Sequence, residues 1–193
     1  SLGGHYLPAQ LKPFSDRISN TCGTHSTFTG PFYCPSEQTV YLDQAYVQEL
    51  KRHAGAGDFD AALAIVIGHG LGRQIQAIVG TTALVEEARA RSTAKLSRQT
   101  WITAALQADC YAGLWMRAAQ KDGTIKAGAD ISAALTAVAA VSHQRDTHLA
   151  AGEQMPDPVM DYATPAQRLK WFQQGLDSGN FNDCDTFGAK ADG

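Results

Sequence analysis

No stretch of this chain approaches the twenty or so consecutive apolar residues that a membrane-spanning helix needs. Its four cysteines include no C-x-x-C pair, which removes the usual thiolate zinc sites. Positive charge is not in surplus either. The 16 Lys and Arg stand against 19 Asp and Glu, the net charge is −3, and the cations are scattered, so nothing electrostatic calls for nucleic acid as a partner. Internal repeats and low-complexity tracts are missing, although 133–140 is locally Ala-rich. An initiating Met is missing too: the chain opens Ser1-Leu2-Gly3-Gly4, as expected of a processed protein or a fragment, with any signal peptide or anchor outside these residues. What is present is 193 residues, 44% of them hydrophobic, enough for the core of one domain.

The pattern predicts an α+β fold, mostly α-helical, as a single domain over 1–193. Residues 1–43 mix Gly, Pro, Ser and Thr with short alternating runs such as Thr39-Val40-Tyr41-Leu42, which reads as loops and a small antiparallel sheet. Residues 44–193 read as a helical body. Asp43 is placed to cap a helix through about Arg52 that ends near Gly55. Asp58 is placed to cap a long segment to Val79, in which Leu63, Val66, Ile67, Leu71, Ile75 and Ile78 recur at helical spacing. Further helices are predicted at about 82–92, 98–121, 130–145 and 165–177.

Within the long segment, Ile67-Gly68-His69-Gly70-Leu71-Gly72-Arg73-Gln74-Ile75-Gln76 has the frame of a zinc-protease helix without its chemistry. An H-E-x-x-H helix projects two histidines at i and i+4 from one face to hold zinc, and its Glu takes a proton from metal-bound water. Here His69 stands at the first position, Gly70 replaces the Glu and Arg73 replaces the second His. The same stretch could be taken for a dinucleotide-binding turn, but a G-x-G-x-x-G starting at Gly68 needs glycine where Arg73 stands, and no βαβ pattern follows. Three glycines cost a helix about 1 kcal/mol each relative to Ala, so a weakened, kinked helix is expected.

Four blocks in one order resemble the bacterial neutral zinc metallopeptidases, whose helix typically reads A-H-E-V-G-H-H-V-Q. Gly68, His69, Gly72 and Gln76 fit that helix. Gly30-Pro31-Phe32-Tyr33-Cys34-Pro35-Ser36-Glu37-Gln38 with Val40-Tyr41-Leu42-Asp43 is similar to the stretch before the family's first long helix. Leu106-Gln107-Ala108-Asp109-Cys110-Tyr111-Ala112-Gly113-Leu114-Trp115 is similar to its E-L-Q-A-D-C-x-A-G-x-W block. Ala166-Gln167-Arg168, Trp171-Phe172, Gly175 and Cys184-Asp185-Thr186-Phe187 fit its closing segment, so the likeness runs from about Cys22 to Phe187.

The resemblance implies a zincin-like domain and assigns roles by position. The third zinc ligand would be the Glu before L-Q-A-D, where this chain has Ala105. Of the three ligand positions, His69, Arg73 and Ala105, only His69 is of ligand type, and the base position is Gly70. Asp109, four residues after Ala105, would accept a hydrogen bond from His69 and fix its tautomer. Arg73 is expected to pair with Asp109 or another acid. Tyr162 stands where the family often has a His. The cysteines allow three pairings, and the residues alone do not choose among them. Proximity and the family blocks favour Cys22 with Cys34 and Cys110 with Cys184, the first closing a loop of about a dozen residues worth roughly 3 kcal/mol.

No alternative metal set is evident. His143 and His148 lie five apart and do not share a helix face, while His5, His25 and His53 are expected in loop or surface settings without ligand spacing. The three tryptophans and Phe172 are expected in or over the core. The expectation is a metallopeptidase-like domain without zinc, cofactor or catalytic residue, leaning away from enzyme activity. It would bind a peptide, an envelope protein or an active relative through the inherited cleft. The competing expectation is a zinc endopeptidase with atypical ligands. Bridges of this kind persist outside the cytosol, and family members usually carry an N-terminal anchor, so an extracytoplasmic, membrane-anchored setting is expected, with any membrane contact made by a segment outside this chain.

Overall fold

A computed structural model describes residues 7–26, 30–146 and 163–188 of the protein. Five short strands come first: β1 (Gln10–Phe14), β2 (Arg17–Asn20), β3 (Gly23–Ser26), β4 (Phe32–Cys34) and β5 (Thr39–Asp43). The central strand is β5, buried at all five positions, with β1 and β4 on its flanks. It pairs antiparallel with β4 but parallel with β1, Gln10 lying opposite Thr39 and Phe14 opposite Asp43. The sheet is thus mixed, not antiparallel as expected. Alternating apolar residues set which face of a strand is buried, not its direction. Direction follows from the connection, which here includes the separate β2–β3 hairpin and β4 before the chain returns as β5. Pro13 is tolerated because β1 is an edge strand.

Among the described residues the helical body consists of α1 (Gln44–Ile78), α2 (Thr81–Ala90), α3 (Ala94–Lys121), α4 (Ile131–Asp146) and α5 (Pro165–Ser178). Asp43 caps α1 by accepting the Ala45 N–H at 2.9 Å. Gly55, at φ 67°, breaks α1 into two helices where the first was expected to end. α3 begins earlier than predicted because Thr93 caps it, its hydroxyl accepting the Leu96 N–H. The Thr164 and Gln167 side chains form a capping box at the start of α5, and Gly179 ends it in the left-handed conformation. Leu50, Ile65, Met116, Leu135, Val138 and Phe172 sit in one core cluster shared by α1, α3, α4 and α5.

Gly68, Gly70 and Gly72 do not kink α1, whose departure from helical geometry is at Gly55. Their role is packing. A Cβ on Gly72 would fall inside the radius of the Ala108 carbonyl oxygen, and one on Gly68 would lie 3.0 Å from the Ala112 Cβ. α5 closes on the other side of α3 in the same way, because a Cβ on Gly113 would meet the Phe172 carbonyl and one on Gly175 the Cys110 carbonyl. Backbones touch at these crossings, which repays glycine's lower helix propensity.

Two disulfides, Cys22–Cys34 and Cys110–Cys184, tie the hairpin to β4 and α3 to the tail. They fit an oxidising, extracytoplasmic environment. Among the described residues no single helix is long and apolar enough to cross a membrane.

Candidate functional site

The second half of α1 and α3 cross antiparallel in one register: Gly68 lies by Ala112, His69 by Asp109, Gly72 by Ala108 and Gln76 by Ala104. Continuing that register sets Ala105 opposite Arg73. Ala105 is fully buried.

His69, almost fully buried, places its Nδ1 2.9 Å from Oδ1 of Asp109. Arg168 reaches the same carboxylate from α5, with Nη2 2.8 Å from Oδ1 and Nε 2.9 Å from Oδ2. Burial pushes the Asp109 carboxyl up. The charge and paired hydrogen bonds of Arg168, with a smaller contribution from His69, outweigh it and hold the group down at about 2. An ionised carboxylate only accepts, so Nδ1 of His69 is the donor and Nε2 is the ring's other nitrogen.

His69, Gly70 and Arg73 line a small cavity of about 20 Å³ under the sheet, with Phe32, Tyr33 and Val40 in its walls. No Asp or Glu lines it among the described residues. Gly70 faces Val40 on β5 so closely that a Cβ would lie 2.8 Å from both Val40 methyls, and Val40 is itself buried. The sheet therefore occupies the space in which a side chain at position 70 would begin.

Arg73 donates from Nη1 to the side-chain Oε1 of Gln76 at 3.1 Å, and its guanidinium lies 4.8 Å from the Trp101 ring centroid. A second guanidinium, Arg89, lies 4.4 Å from the same ring. Gln76 in turn donates to the Ala104 carbonyl at 2.7 Å and to Gln107 Oε1 at 3.0 Å, and Gln107 donates to the Cys184 carbonyl. The cleft floor is thus wired to the disulfide-bound tail.

The guanidinium that meets Asp109 is Arg168; of the two partners expected for Arg73, Asp109 or another acid, Asp109 is thus taken from α5. Arg73 lies over the Trp101 face, one turn further along the crossing. Sequence reasoning placed Arg168 in a matching block without giving it a role, and its burial shows only in the fold. His25 also departs from its expected loop or surface setting. It belongs to β3, is buried, and packs 3.9 Å from the Phe32 ring, where burial lowers its pKa. His53 lies exposed on α1. Trp115, Trp171 and Phe172 pack in or against the core as expected, whereas Trp101 stacks on arginines instead. Tyr162, His5, His148 and the side chain of His143 lie outside the described residues.

A catalytic zinc takes three protein ligands. Positions 69, 73 and 105 offer an imidazole, a guanidinium without a lone pair and a methyl group, and the guanidinium would repel a cation. These residues do not fit the metal. Among the described residues no other group of three His, Cys, Asp or Glu is placed to hold one.

The family described as "Putative neutral zinc metallopeptidase" matches residues 1–187, and the chain belongs to it. It is 33% identical over 187 residues to the uncharacterized protein YpfJ of Escherichia coli strain K12, covering 97% of this chain and 64% of the relative. It is likewise 33% identical over 193 residues to the uncharacterized protein Rv2575 of Mycobacterium tuberculosis strain H37Rv, covering 95% of this chain and 64% of the relative. The chain therefore spans just under two thirds of the length of these relatives. No solved structure matches it.

Proposed function

We propose that this domain is a catalytically inactive, zincin-like member of its family that binds a peptide or protein in the cell envelope. One observation carries the reading. The family's chemistry needs a base and three ligands, and at positions 70, 73 and 105 this chain has Gly70, Arg73 and Ala105, with β5 packed where the base would stand. The support for His69 is nevertheless intact, since Asp109 and Arg168 hold its ring in place. A scaffold that keeps its cleft-building contacts while lacking the reactive groups suits recognition better than turnover. The partner is a peptide or an envelope protein such as an active relative, and an anchor elsewhere in the full-length protein would keep the domain at the membrane.

Metal analysis and a proteolysis assay test this together. Protein purified without added metal should hold well under one zinc per chain and leave casein and unfolded peptides intact. Stoichiometric zinc that survives dialysis, or chelator-sensitive cleavage, would show instead an endopeptidase with atypical ligands.

A further inference from the structure

Independently of the peptide-binding reading, we propose that the α2–α3 hairpin is a membrane-contact surface of the domain's own. Leu84 and Leu96 enter the headgroup region of an anionic bilayer, and Arg91 and Lys95 at the hairpin tip meet its phosphates. Only residues 91–93 join the two helices. Arg89 reaches from α2 to the Ser97 hydroxyl and the Trp101 ring on α3, and Val85, one turn before Arg89, is buried. These residues fix the inward face of each helix. Leu84 stands one residue before Val85 and Leu96 one before Ser97, each about 100° of helix rotation from that face. In an antiparallel pair of right-handed helices the two rotations turn to the same side, so both leucines lie on one flank of the hairpin. Leu84 is 67% exposed and Leu96 55%, and Ala88, one turn after Leu84, is exposed too. At the root of the hairpin Ile78 and Val79 are also exposed. A single exposed leucine needs no explanation, but a pair on one flank beside an apolar root does.

Charge selects the occupant. The cations, scattered along the chain as a whole, gather here: residues 88–108 hold Arg89, Arg91, Lys95 and Arg98 and no Asp or Glu, in a protein of net charge −3. Glu86 and Glu87 pair with Arg89 and Arg91, so 78–98 carries four cations against two acids. The Arg91–Glu87 pair is exposed and worth little in water, so Arg91 can exchange its partner for a phosphate. A second copy of the chain, meeting this face across a two-fold axis, would bring like charges together. A nucleic acid would use the cations and leave the leucines idle. A protein partner needs a large, closely packed contact, whereas a few separated leucines suit a fluid acyl boundary that requires no matching shape. An anionic bilayer takes both halves of the surface, apolar side chains inside the boundary and cations at the headgroups.

The test pellets the intact, oxidised domain with sucrose-loaded vesicles of phosphatidylcholine, alone or with about half phosphatidylglycerol. Binding to the anionic vesicles should be roughly tenfold or more tighter, and ~0.5 M salt should remove most of that difference. Arg91→Gln with Lys95→Gln should weaken it by roughly fivefold per charge removed. Leu84→Ser with Leu96→Ser should weaken it by roughly tenfold at unchanged charge, since binding scales with buried apolar area. Leu11→Ser, which removes an exposed leucine from β1, should leave it unchanged. Leu84→Trp should move its emission to the blue on anionic vesicles, a readout that stands even if the serine variant misfolds by circular dichroism. No binding to anionic vesicles would overturn the bilayer as occupant and leave the flank to an acidic protein. Binding that keeps its strength without Leu84 and Leu96, or a Leu84→Trp emission that does not move, would overturn insertion by this flank. A loss in Leu11→Ser equal to that of the paired serines would overturn the placement. Zinc content and cleavage decide the peptide-binding reading separately.

Discussion

Asp109→Ala should destabilise the domain by about 3–5 kcal/mol, the cost of removing one partner from a buried ion pair. Asp109 is fully buried and Arg168 nearly so, and the carboxylate accepts two hydrogen bonds from Arg168 and one from His69. Removing it strips a buried guanidinium of its counter-charge while the charge itself stays in place. Asp109→Leu combined with Arg168→Met takes away both charges at similar volume and should cost less than Asp109→Ala alone, because apolar packing offsets much of the loss. Urea titrations on the oxidised protein would measure both. In the thermal scan the single variant should melt about 6–20 °C lower, at roughly 2–4 °C per kcal/mol for a chain of this size. The wild-type pH profile provides an independent check. With its carboxyl held at about 2 against an ordinary 3.8, Asp109 favours the fold by roughly 2 kcal/mol at neutral pH. A depressed carboxyl contributes fully above its unfolded value, so this share should vanish as pH falls from about 4 to about 2 and be absent from the double variant. A loss below about 1 kcal/mol in Asp109→Ala, or a double variant no better than the single, would refute this account of the pair.

Rebuilding the family's site should proceed in steps, with Arg73→His giving at most weak zinc binding and Ala105→Glu raising affinity sharply, as measured by competition with a chromophoric chelator. If the double variant folds, judged by circular dichroism, and binds zinc no better than its parent, residues 69, 73 and 105 do not converge. Gly70→Glu should cost about 1–3 kcal/mol because its Cβ meets both Val40 methyls, and Val40→Ala should recover much of that loss in the same urea assay. Reducing Cys110–Cys184, which closes a separation of 74 residues, should remove about 4 kcal/mol on the chain-entropy estimate, read as a lower urea midpoint after selective reduction or in the Cys110→Ala, Cys184→Ala protein.

What the residues disclose before folding is local. Asp43 before an apolar run, Gly55 after it and Thr164-Pro165 with Gln167 are start and stop signals, and the helices begin or end at them. The spacing of Ala105 and Asp109 settles their common face without any coordinates. Pairings across distance are not encoded that way. Arg168 reaches Asp109 from 59 positions away, and nothing in the α5 pattern says whether its cation faces water or the core. Gly70 reads as a helix-weakening residue until β5 is laid against it. Trp101 would pass for core, yet two arginines along the α1–α2–α3 corner claim its ring.

The glycine crossings also govern how the domain opens. At Gly72, Gly113 and Gly175 the backbones of α1, α3 and α5 abut, so water cannot reach the amides between them without separating whole helices. Local fraying is closed off there by the packing, so amide protons in that part of α3 are expected to exchange through global unfolding. Among the described residues the β2–β3 hairpin forms a two-stranded sheet of its own, pinned by Cys22–Cys34, so its ladder is expected to open independently of the three helices. The imidazole of His69 is anchored to α3 within that closed crossing, so its placement should outlast any local opening of the hairpin.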